Sequence, residues 1–161
     1  MSCWHASEHE SDAMWRLYAP GGEGVAIQTT AARLTESMGP SDDVLLGSVK
    51  YVDYDQDVIP ERNIFSAALH KRRSFEHERE VRALLARLPE EDRDGTPIVN
   101  VRREPDFLGE HVSVKLDVLI EQVRIAPTAP SWFADAVRQT LKAFAVNLEP
   151  AQSDLIREPV W

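Results

Sequence analysis

Apolar and polar positions recur along this chain with two periods, 3.6 and 2, and these divide it into elements. Ser2 to His5 reads as a short buried strand. Ser7 and Glu10 form a capping-box pair that opens a helix to about Tyr18, striped with Met14, Trp15, Leu17 and Tyr18. Pro20-Gly21-Gly22 ends it. Gly24 to Thr29 reads as a strand with Val25 and Ile27 on one face. Thr30 caps a second helix to about Met38, closed by Gly39-Pro40. Val44 to Val52 is rich in β-formers, and residues 53–62 are polar and loop-like. Ile64, Phe65, Ala68 and Leu69 then predict a helix from Asn63 to Phe75.

Residues 76–88 fit both periods. Val81, Leu84, Leu85 and Leu88 suit a helix; Val81, Ala83 and Leu85 suit one face of a strand. Pro89 to Pro97 reads as a charged loop, followed by β-like runs near 98–102, 111–116 and 119–126. Pro130-Ser131 opens an amphipathic helix with Trp132, Phe133, Ala136, Val137, Thr140, Leu141 and Phe144 on one side. Val146 to Leu148 predicts a last strand. This order is neither regular βαβ nor all-β. It predicts an α+β fold, a mixed and mostly antiparallel sheet packed with several helices.

The 161 residues suit a single domain spanning 1–161. The formal net charge of −9 disfavours broad binding to phosphate backbones, so nucleic acid is not an expected partner. No apolar run approaches the roughly 20 residues of a membrane span, and the first residues carry no secretory leader pattern. With one cysteine, Cys3, no internal disulfide can form. A cytoplasmic location is expected.

Three motifs read more plainly than they first look. His5-x-x-Glu8-His9 has the spacing of an inverted zinc-peptidase motif, but that chemistry needs both histidines on one helix, and the Ser7 cap leaves His5 outside. No metal is expected. Gly21-Gly22-Glu23-Gly24 follows a helix and precedes a strand, the reverse of a phosphate cradle, so a turn is expected. His70-Lys71-Arg72-Arg73 is followed by Glu76, Glu78 and Glu80. A self-neutralising surface, with Arg72 and Glu76 paired one helical turn apart, outweighs an anion or RNA site. Cys3, in a strand that reads as apolar, is expected to be an inert buried thiol.

The stretch Lys71-x-x-x-Phe75-x-x-Glu78-x-Glu80-x-Arg82 carries the most chemistry. If residues 78–82 are extended, Glu78, Glu80 and Arg82 share one face. Two close carboxylates would raise at least one pKa, with Arg82 offsetting part of the rise. Such a set could steer a proton, hold a ribose hydroxyl or bind a cation. If the stretch is helical, Glu78 and Arg82 make an ordinary surface pair worth about 0.3–0.5 kcal/mol. Periodicity leaves both readings open.

Several motifs together resemble a widespread bacterial domain-of-unknown-function family. They are Ser2-Cys3-Trp4-His5, Met14-Trp15-x-x-Tyr18, Gly24-x-x-Ile27, Val49-Lys50-Tyr51, the stretch from Lys71 to Arg82, Ile120 to Pro127, and the late Ser153. The resemblance favours the extended reading of residues 78–82. His5 departs from it, standing where serine is usual. An upstream segment typical of the family is not found, so an N-terminal piece is expected to be missing. The Glu-x-Glu pair is similar to that of ADP-ribosyltransferases. That similarity implies Glu80 and Glu78 as catalytic residues, Arg82, Lys71, Tyr18 and His5 as substrate-binding residues, and NAD as the substrate. The enzyme would be a transferase or a glycohydrolase, acting in defence or stress. The alternative expectation is a non-catalytic interaction module, homodimeric or the remnant of a longer protein, with an exposed apolar patch near Trp4, Trp15 or Trp132.

Overall fold

The computed structural model describes residues 1–39, 44–60, 63–88, 90–99 and 109–156. The fold is α+β, with small and mostly antiparallel sheets. In chain order the elements are β1 (Ser2–His5), α1 (Asp12–Tyr18), β2 (Val25–Gln28), α2 (Ala31–Ser37), β3 (Val44–Ser48), β4 (Lys50–Val52), α3 (Ser66–Leu69) and β5 (His70–Arg72). A 3-10 turn (Arg73–Glu78) leads to β6 (Glu80–Leu85). Then follow β7 (Glu90–Arg93), β8 (Thr96–Val99), α4 (Leu116–Leu119), β9 (Gln122–Ile125), α5 (Ser131–Ala143) and β10 (Ala151–Gln152).

Two three-stranded sheets organise the chain. One has the order β1-β6-β3 and is antiparallel throughout; the other, β10-β9-β2, joins a parallel to an antiparallel pair. A short parallel ladder, β4-β5, aligns Tyr51 with Lys71. The core lies on one face of the β1-β6-β3 sheet. Trp4 and Leu46 project from that face onto Leu34 of α2, Leu119 and Ile120 at α4, and Val123 of β9. Val137 and Leu141 of α5 pack on the same cluster.

Several expected boundaries move. The cap of α1 is Ser11, not Ser7, and its hydroxyl accepts the Met14 amide. Thr30 caps α2 as expected, accepting the Arg33 amide. The helix expected over 63–75 shrinks to one turn, because His70–Arg72 is drawn into the ladder with β4. β1 is half open rather than buried, with Ser2 and Cys3 exposed. The charged stretch after 89 is a hairpin whose turn residues Asp94 and Gly95 both have positive φ, 56° and 79°. This is the backbone that an Asp-Gly hairpin turn requires.

Within the run expected at 111–116, residues up to 115 are irregular and Leu116 opens α4; residues 146–148 are irregular too. The run at 98–102 overlaps the end of β8, and its later residues lie outside the described ones. On α5, Trp132 and Phe144 are left exposed while Val137 and Leu141 are covered, so only the middle of its apolar side meets the core. Among the described residues, no helix is long and apolar enough to cross a membrane.

Candidate functional site: a polar seam between two β ladders

Directly opposed residues of an antiparallel pair share a face. Cys3 lies opposite Arg82, His5 opposite Glu80, and Gly47 opposite Arg82. These five therefore occupy the face of the β1-β6-β3 sheet turned away from the Trp4 and Leu46 core. The β4-β5 ladder lies against this polar face, contributing Tyr51 and Lys71. Gly47 permits the close approach. A Cβ there would stand 2.7 Å from the Leu69 side chain, whereas glycine lets α3 settle until the Ala68 carbonyl accepts a hydrogen bond from Arg82 Nη1.

An ion network fills the seam. Arg82 Nε donates to Glu80 Oε2 at 2.7 Å, and Lys71 Nζ donates to Glu80 Oε1 at 2.7 Å. Lys71 also pairs with Glu78 Oε2 and sits 4.7 Å from the centre of the Phe75 ring. The Tyr51 hydroxyl accepts the Glu80 amide at 2.8 Å. His5 Nδ1 donates to the Glu78 carbonyl at 2.7 Å, which fixes its proton on that nitrogen. Both glutamates are 8% exposed. Arg79, between them, adopts a left-handed φ of 43°. Residues 78–82 are thus not extended throughout as expected: Glu78 ends the 3-10 turn, and the kink before β6, rather than strand alternation, lets Glu78 and Glu80 reach the same lysine.

Two carboxylates face two cations, so the network closes on itself electrostatically. The Arg82 guanidinium, with help from Lys71 and against partial burial, holds the Glu80 carboxyl far below the usual carboxylate range. The rise expected from two neighbouring carboxylates is therefore not what Glu80 experiences, because each of its oxygens has a cation. Burial works against the charge of Lys71, but its bonds to Glu78 and Glu80 prevail and raise its pKa. Arg82 is raised too, chiefly by Glu80. Cys3 is exposed as a residue. Partial burial of its thiol, reinforced by the Glu80 carboxylate, nevertheless pushes its pKa up.

Of the six residues singled out from sequence, Lys71, Glu78, Glu80 and Arg82 meet through their side chains, and His5 joins through the Glu78 backbone. Tyr18 does not join them. It ends α1, is 69% exposed, and α1 packs at the other sheet, where Trp15 lies against Gly24. Tyr51 is the member that sequence reasoning missed as a site residue, although its Val-x-Tyr context was noticed. Cys3 was misjudged as buried.

Around the seam, Arg72 stacks over Tyr54 and Arg73 pairs with Asp57 at 3.7 Å, in place of the helical Arg72–Glu76 pair expected. His5 is on β1, while Glu8 and His9 precede α1, so the zinc-peptidase spacing lacks its helix. Among the described residues, no group of three or more His, Cys, Asp or Glu is arranged to hold a metal.

Residues 14–83 match the model of a family described as a protein of unknown function (DUF2971). This agrees with the resemblance to a domain-of-unknown-function family drawn from the motifs. The DUF2971 segment holds Tyr51, Lys71, Glu78, Glu80 and Arg82, and leaves Cys3 and His5 outside it. No curated protein and no solved structure gives a significant match to the chain.

Proposed function

We propose that the seam is the active site of an enzyme that cleaves the nicotinamide–ribose bond of NAD, as an ADP-ribosyltransferase or a glycohydrolase. The observation that carries this reading is the meeting of Glu78, Glu80, Lys71 and Arg82 on the sheet face away from the core. Desolvating four charges costs several kcal/mol each before pairing repays it, and apolar packing often does as well. Perturbed groups assembled in this way favour a functional role.

In the proposed reaction the C1′–N bond breaks and nicotinamide leaves with the electron pair. Glu80, kept ionised by Arg82, stabilises the positive charge that develops on the ribose. Glu78 takes the proton that water or an acceptor hydroxyl loses on bonding to C1′. Lys71 and Arg82 position the two carboxylates. Release of nicotinamide from NAD by the purified protein, abolished in Glu80→Gln and reduced in Glu78→Gln, is the expected result. Intact NAD after prolonged incubation would end this reading.

A second reading, a non-catalytic interaction module, draws on the exposure of Trp132 and Phe144 at the two ends of α5, 58% and 69%. Trp4 and Trp15 are half-buried and fit it less well. Its mark would be a captured partner whose binding is lost in Trp132→Ala while NAD stays uncleaved.

A further inference from the structure

Val25 and Ile27 are oriented as core residues yet remain open. They lie opposite Ile125 and Val123, which are 1% and 2% exposed, but are themselves 45% exposed each. The reason is position: among the described residues, β2 is an edge strand of the β10-β9-β2 sheet. Its bonds to β9 run through the even-numbered residues, with the Gly24 carbonyl accepting the Ala126 amide and the Gln28 carbonyl accepting the Glu121 amide. Alternation along an antiparallel strand then turns the amides and carbonyls of Val25 and Ile27 toward the outer edge. Natural edge strands are guarded by lysine, proline or a bulge. The strand Val25-Ala26-Ile27-Gln28 has no charge and no proline, in a chain of net charge −9.

We propose that this edge pairs with the same edge of a second copy, forming a continuous six-stranded sheet about a two-fold axis through Ala26. The strand is complementary to itself in that register. Val25 faces Ile27 of the second copy and Ile27 faces its Val25, so the outward backbone groups of both residues are satisfied. The twofold runs perpendicular to the sheet and keeps the core sides of both copies on one side, which closes the apolar surface left open at Val25 and Ile27. Charge agrees with this choice of occupant. Glu23 falls opposite Thr29, and the two Glu23 carboxylates stand roughly 20 Å apart along the strands, well beyond a Debye length of about 8 Å. This inference does not depend on the catalytic reading.

Sedimentation of the full chain across micromolar concentrations tests it, with Ile27→Lys and Ala26→Cys in a Cys3→Ser background as variants. The expected result is a dimer whose dissociation constant rises at least about tenfold with Ile27→Lys. Ala26→Cys would cross-link covalently on treatment with diamide, since Cα atoms at a non-hydrogen-bonded pair lie about 4.5 Å apart, within disulfide reach. Val25→Cys, displaced from its own copy by two positions, would not. A monomer at every concentration overturns the proposal. So does a dimer in which Ala26→Cys fails to cross-link, which remains decisive if Ile27→Lys does not fold.

Discussion

Cys3 lies directly across the β1–β6 ladder from Arg82, on the face of the sheet that also carries Glu80, and partial burial together with that carboxylate raises its pKa. An exposed thiol beside a guanidinium would ordinarily be a reactive one. Here partial burial and the carboxylate outweigh the cation and keep it protonated. Iodoacetamide should therefore alkylate Cys3 more slowly at neutral pH than an unhindered peptide thiol. Glu80→Gln should speed the reaction and move its pH profile down. Fast alkylation of the wild-type chain would contradict this account.

Removing one member of the network should cost more than removing an exposed ion pair. Glu80→Gln leaves Lys71 and Arg82 short of a counter-charge, and breaking a buried pair in this way costs about 3 kcal/mol. The exposed pair Arg16–Asp12 should lose less than about 1 kcal/mol in Arg16→Ala. Urea denaturation of the two variants checks the contrast.

Acid should weaken the fold through Glu80. Its folded pKa is depressed, so its contribution is present above the unfolded value of about 4.3 and is lost as pH falls below it. Lys71 acts in the opposite direction. Its pKa is raised, so its contribution holds below about 10.4 and fades as pH climbs past that. Unfolding midpoints measured from pH 3 to pH 7 should fall on the acid side, and less steeply in Glu80→Gln.

Tyr51→Phe removes the acceptor of the Glu80 amide without changing the ring. A lost hydrogen bond that leaves a buried donor unsatisfied costs about 1–3 kcal/mol. Hydrogen exchange at the Glu80 amide should accelerate well beyond that at Leu84, in the same strand.

Gly47→Ala should destabilise by about 1–3 kcal/mol, the usual range for overpacking, because the added methyl meets Leu69. Leu69→Ala in the same chain should recover part of the loss. Additive costs in that double mutant would show that the contact is not what restricts position 47.

The sequence disclosed the seam only partly, and for identifiable reasons. Glu80 and Arg82 were legible because alternation along a strand places them on one face, as β6 does. Lys71 was singled out through the family resemblance, whose stretch runs from Lys71 to Arg82, and not by alternation. Tyr51 was not legible, since nothing local records that β4 pairs in parallel with β5, a tertiary contact that also overrode the helical period of residues 63–75. The hairpin at Asp94-Gly95 carried a turn signal that its charged neighbours obscured. The exposure of Cys3 depends on β1 being an edge strand, which no short window reveals.

The pairing of Ser2 with Ala83 closes one sheet across about 80 residues of chain. During synthesis β1 leaves the ribosome long before the strand it needs. At about 5–20 residues per second, the wait is roughly 4–16 s. Throughout that interval Cys3 and Trp4 have no ladder, the seam has no walls, and the early part of the chain must stay unaggregated without its partner. Folding of this region is therefore timed by the emergence of β6, and a pause that holds β6 inside the ribosome would lengthen the exposure of the N-terminal strand, whereas a pause after β6 has emerged would not.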